Sequence, residues 1–197
     1  MVTRGLAKDF RELFSLLERA GARLPFLTVL GNHDRHKPHG VTNARLYETL
    51  LGPANYWFDR GGVRFVVVDS SAGRVLPKQL AWLEKALATE KTKIVFTHMP
   101  PLPLRAWTRG VGGFKAGSAE FMELMSRHRV SRVYMGHIHG LDTIDRDGVR
   151  YVLSGGGGSP LYPGPVKRVL HHALEVEVDA SGVREIVHPL EGAPFPL

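Results

Sequence analysis

The sequence contains no cysteine in its 197 residues. That excludes a disulfide framework, a thiolate nucleophile and a zinc–cysteine centre. Any metal ion must therefore rest on histidine, asparagine or carboxylate side chains. No apolar run approaches the roughly 20 residues of a membrane-spanning helix, and no signal peptide is recognisable. The expectation is a cytoplasmic protein that makes no membrane contact. A long basic run is missing as well. Lys and Arg number 26 against 19 Asp and Glu, a formal charge of +7, but the positive charges are scattered. The excess favours anionic partners, small-molecule or nucleotide phosphate esters among them. No clustered basic recognition helix is present, so nucleic acid is not indicated. Internal repeats and linkers are also absent, and nothing reports the oligomeric state. With 43% hydrophobic and 23% charged residues, the chain reads as one domain, residues 1–197, with a full core.

What is present is a succession of helices and strands. Residues 3–20 carry Leu6, Phe10, Leu13, Phe14 and Leu17 at helical spacing, with Gly21 as a stop. Phe26-Leu27-Thr28-Val29-Leu30 reads as a buried strand. A short helix is expected at 42–51, then a hairpin of Tyr56–Arg60 and Val63–Asp69 around Gly61-Gly62. Pro77 opens a helix to about Thr89, and Lys93–Thr97 is a second buried strand. Residues 118–128 read as a helix and Arg132–Met135 as a third strand. Two hairpins close the chain, one turning at Asp147-Gly148, the other running from Val169–Val178 to Val183–His188.

The three buried strands end in Gly31-Asn32-His33-Asp34, in His98, and in Gly136-His137-Ile138-His139. Side chains at the C-terminal ends of such strands meet at one edge of an α/β sheet, where ligands bind. Gly31 is expected to let the backbone turn without a Cβ. Asn32 offers an amide oxygen to a cation, His33 can donate a proton, and Asp34 is placed to hold the His33 ring in one tautomer. Residues two apart in an extended segment face the same way, so His137 and His139 reach one side together. Imidazole plus amide oxygen suits Mn, Fe, Zn, Ni or Co rather than Ca or Mg.

These motifs resemble those of the calcineurin-like metallophosphoesterases. The family's Gly-Asn-His-Asp, His and Gly-His-x-His motifs stand here as Gly31–Asp34, His98 and Gly136–His139, and the likeness covers nearly the whole chain. The resemblance implies a four-layer αββα sandwich of two mixed sheets flanked by helices. It also implies two divalent transition-metal ions and hydrolysis of phosphate monoesters or diesters by a metal-activated hydroxide. Asn32, His98 and His137 would bind one ion and His139 the other; His33 would be the catalytic histidine, oriented by Asp34. The family's first two motifs, Asp-x-His and Gly-Asp, do not occur here, and with them goes the N-terminal βαβ unit that carries a bridging carboxylate. The reading frame is therefore expected to continue upstream of Met1, and the chain as given to be a poor enzyme.

Arg35, Arg105, Arg109 and Lys115 read either as phosphate-holding groups or as solvated loop residues, and Trp107 as a stacking or a packing residue. Asp69 reads as a turn cap or as a further site residue; His171 and His172 alternate in a strand and receive no catalytic role. The alternative to an enzyme is a non-catalytic binding or scaffold module derived from the same fold.

Overall fold

The computed structural model describes residues 2–36, 43–104, 112–161 and 166–197. A six-stranded mixed sheet has the order β1-β2-β3-β4-β6-β5. Its strands are β1 (Tyr56–Arg60), β2 (Val63–Val68), β3 (Thr92–Thr97), β4 (Arg132–Met135), β5 (Leu141–Arg146) and β6 (Val149–Ser154). The four central strands run parallel, and the edge strands β1 and β5 are antiparallel to their neighbours. The β5–β6 turn places Asp147 and Gly148 at φ of 52° and 78°, the backbone a two-residue hairpin loop demands.

The central strands are nearly continuous in Val, Ile and Phe because both faces are covered. Helices α3 (Pro77–Leu87) and α4 (Ser118–Arg127) cover one face. There Leu83, Leu87, Phe121 and Met125 pack with Val66, Val95 and Val133, all fully buried. A three-stranded antiparallel sheet covers the other: β7 (His172–Asp179), β8 (Gly182–Pro189) and β9 (Phe195–Pro196). Leu174, Val176 and Val178 of β7 pack on Ile94, Tyr134 and Val152. A buried ion pair bolts the sheets together. Glu185 of β8 accepts from Arg132 Nε at 2.5 Å and from the Tyr134 hydroxyl at 3.1 Å. Burial, and then that carboxylate, push the Tyr134 phenol far above its usual range.

The mixed α/β fold expected from the sequence is present. Its second sheet is antiparallel rather than mixed. Helices α1 (Ala7–Arg19) and α2 (Arg45–Leu51) form a separate cluster, in which Phe10 and Tyr47 pack with Leu30, Val2 and Ala54. Helix α1 begins later than residue 3 because the Asp9 carboxylate takes the N–H groups of Arg4 and Leu6 and fixes the first turn.

The expected strand Phe26–Leu30 is not one: the segment carries no regular secondary structure, and none of the described strands pairs with it. Its polar groups go to side chains instead. The Thr28 carbonyl accepts from the Tyr56 hydroxyl at 2.9 Å, and the Thr28 hydroxyl bonds the Tyr47 hydroxyl. Thr28 and Leu30 are buried, while Phe26 and Leu27 stay 50% and 58% exposed. Among the described residues, no helix is long and apolar enough to cross a membrane.

Candidate functional site

Beyond the C-terminal ends of β3 and β4, a pocket of about 640 Å³ is lined by Asn32, His33, Asp34, His98, His137 and His139. Val2, Thr3, Gly31 and Pro160 complete much of its wall. All six site residues expected from the sequence thus meet in one place.

His98 is the anchor. Its Nε2 lies 2.8 Å from Asn32 Oδ1, and its ring meets that of His137 edge-on at a centroid separation of 5.1 Å. Burial, and then the neighbouring His137, push the His98 imidazole down to about 3. It is therefore neutral at physiological pH, the form in which imidazole binds metal. Ser70, fully buried at the end of β2, holds the strand end beside it: the Ser70 Oγ accepts from Thr97 Oγ1 at 2.7 Å and from the Met99 N–H at 2.8 Å. Gly31 follows an extended course at φ −94°, so conformational freedom is not why glycine stands there. The reason is proximity. A Cβ would lie 2.9 Å from the Asp34 carboxylate and 3.2 Å from the His98 ring.

His137 and His139 converge by a route other than the expected extended strand. His137 sits in the left-handed region at φ 70°, and Ile138 N–H turns back to the Gly136 carbonyl at 2.8 Å. A non-glycine residue held there is strained backbone of a kind that gathers at functional sites. The loop packs so closely on Gly155 that a Cβ there would collide with the Ile138 carbonyl. His139 donates from Nδ1 to the Pro160 carbonyl at 2.6 Å. That bond assigns the tautomer and makes Nε2 the nitrogen able to ligate a metal.

Asp34 does not take the expected role of orienting His33. Its carboxylate, buried, accepts the N–H of Gly31 at 2.8 Å and of Val2 at 3.0 Å. A carboxylate beside its own turn satisfies the nearest backbone donors first. The orienting contact comes from Thr3, whose carbonyl accepts from His33 Nδ1 at 3.1 Å. Thr3 and Ser70 are site residues that sequence reading missed. A backbone carbonyl leaves no trace in composition, whereas Ser70 sits in the polar Asp69-Ser70-Ser71 string at a strand end.

Asp69 caps its own turn through the Ser71 N–H at 2.8 Å, and also pairs with Arg35 at 3.2 Å. Lys115 is exposed and not part of the pocket wall. Arg105, Trp107 and Arg109 lie outside the described residues. His172 is buried and bonds Ser154 at 3.0 Å, away from this pocket.

The donors present fit a transition metal: an amide oxygen and a neutral imidazole in contact, with two further imidazoles on the same wall. Among the described residues, however, no group of three or more His, Asp or Glu side chains is arranged to hold an ion by itself.

A mixed sheet carrying such donors at the ends of its parallel strands is the layout of the metallophosphoesterase fold. The calcineurin-like phosphoesterase family matches residues 1–141, and the chain belongs to that family. It is 26% identical over 166 residues to purple acid phosphatase 23 of Arabidopsis thaliana, covering 73% of this chain and 36% of that protein. It is 27% identical over 142 residues to a protein of Synechococcus named "Probable cyclic nucleotide phosphodiesterase", covering 68% of this chain and 53% of the other. The chain thus spans between a third and somewhat over half of these relatives. In fold it is similar to purple acid phosphatase PPD1 from yellow lupin seeds, with a TM-score of 0.72 at 18% identity over 95% of this chain and 42% of that one.

Proposed function

We propose that this chain hydrolyses phosphate esters, small-molecule or nucleotide, in a cytoplasmic reaction using two divalent transition-metal ions drawn from Mn, Fe, Zn, Ni and Co. Asn32, His98 and His137 would hold one ion and His139 would contribute to the other. Ions held there would polarise phosphoryl oxygens and acidify a water molecule. The single observation that carries the reading is the Asn32–His98 contact of 2.8 Å inside a pocket that His33, His137 and His139 also line. Family membership supports phosphoester chemistry.

The chain's own residues supply the rest. His33 donates a hydrogen bond from Nδ1 to the Thr3 carbonyl, so its Nε2 is the atom available to the substrate. In the cationic form, Nε2 can hand a proton to the leaving oxygen as the phosphorus–oxygen bond breaks. Asp34 fixes the turn that carries Asn32 and His33 by taking the N–H of Gly31.

The test is hydrolysis of 4-nitrophenyl phosphate and bis(4-nitrophenyl) phosphate by purified protein with each of Mn, Fe, Zn, Ni and Co added as the divalent ion, and with chelator. Metal-dependent turnover of either ester supports the reading, and no turnover with any of the five metals contradicts it. A non-catalytic binding module is the second reading. It is favoured by the lack, among the described residues, of a complete ligand cluster. That reading expects no turnover from a protein that still folds.

A further inference from the structure

His33 stands between two cavities. One is the pocket described above. The other, of about 420 Å³, is lined by Thr3, Arg4, Leu6, Asn32, His33, Arg35 and His36. Thr3, Asn32 and His33 belong to both. Every ionisable side chain in the second wall is basic. No carboxylate among the described residues lines it. Asp69 holds Arg35 at 3.2 Å, and Asp9 is engaged with the N–H groups of Arg4 and Leu6.

Arg35 is also bound by the Ser71 hydroxyl at 2.9 Å, so its guanidinium is fixed before any ligand arrives. Its Nε is buried and has no hydrogen-bond partner among the described residues. An orphaned buried donor is costly unless a ligand or water meets it. A guanidinium held in place beside a cavity is suited to phosphate oxygen.

We propose that this second cavity is a subsite for a phosphate carried on the leaving group, so that the substrate is a pyrophosphate-type ester or a bisphosphate rather than a simple monoester. The direction of the substrate rests on the phosphoesterase reading above. A phosphoryl group over Asn32 and the three metal-side histidines puts the leaving oxygen toward His33. Whatever hangs from that oxygen continues past His33 into the basic cavity. In the reaction a water oxygen bonds to phosphorus and the phosphorus–bridging-oxygen bond breaks. The leaving group departs with that electron pair and takes a proton from cationic His33 Nε2, while the proton lost by the water passes to solvent. Arg4 and Arg35 receive the charge that the leaving group acquires.

The test is calorimetric titration of inorganic pyrophosphate into chelator-treated protein, so that binding is read without catalysis. Wild type should bind one equivalent. Arg4→Gln and Arg35→Gln should each weaken binding by about tenfold or more, the worth of one charge-assisted contact, and Lys85→Gln, an exposed cation that lines neither cavity, should bind within about twofold of wild type. Arg4 is exposed, so its variant decides the matter even if Arg35→Gln unfolds. Unchanged affinity in Arg4→Gln, absence of pyrophosphate binding, or equal loss in Lys85→Gln would each overturn the subsite. Failure of the esterase assay would sink the catalytic reading, while the titration would still show whether this cavity takes a phosphate.

Discussion

The Nδ1 of His33 and the carbonyl of Thr3, 30 positions apart in sequence, are joined by a hydrogen bond of 3.1 Å. The bond fixes which nitrogen of His33 faces the pocket. His33→Ala should therefore lower turnover of an aryl phosphate ester by roughly 10²–10⁴-fold, the usual contribution of a positioned acid. Metal content should not change. A variant that loses metal would show that His33 is a ligand instead.

Asp34 has a structural task in place of the expected orienting one. Its carboxylate accepts two backbone N–H groups in a buried setting. Bonds to a charged group contribute about 1.5–3 kcal/mol each, and their loss leaves buried donors unpaired. Asp34→Ala should cost about 2–4 kcal/mol in urea unfolding. A loss under about 0.5 kcal/mol would show that the turn does not depend on it.

Gly31→Ala probes the close approach of backbone to His98. The added methyl would lie 3.2 Å from the His98 ring and 2.9 Å from Asp34. Overpacking of this kind costs about 1–3 kcal/mol. Displacing a ligand's support typically lowers metal affinity about 10–100-fold. Wild-type affinity in this variant, measured by competition with a chromogenic chelator, would contradict the packing argument.

Glu185 joins the two sheets far from the pocket. Glu185→Ala would strand Arg132, whose side chain is 17% exposed, without its carboxylate. Breaking one partner of a buried pair costs about 3–5 kcal/mol, so the thermal midpoint should fall by several degrees. A thermal midpoint equal to wild type would show that the pair is dispensable.

Much of the fold is legible in the chain alone. The bounds of strand β4 can be read because Arg132-Val133-Tyr134-Met135 is a short β-rich run between polar stretches. The convergence of His98, His137 and His139 is legible because the parallel strands β3 and β4 deliver their ends to one edge, and Asn32 joins them from a segment that pairs with no described strand. The backbone at His137 is not, since a left-handed conformation in a non-glycine residue is imposed by tertiary packing against Gly155. Phe26–Leu30 misleads because a short apolar run does not reveal whether a neighbouring strand pairs with it. Asp34 misleads because adjacency in sequence to His33 is not adjacency of side chains. Its oxygens accept the N–H groups of Gly31 and Val2.

Whether the strand-end histidines form a metal centre is tested most directly by elemental analysis of wild type and His137→Ala purified side by side. His137 lines the pocket next to His98 and makes its metal contact, on this account, through side-chain nitrogen alone. Wild type should carry a transition metal, and the variant should lose at least half of it while keeping its far-UV circular dichroism. Equal metal content in two equally folded proteins would contradict the account.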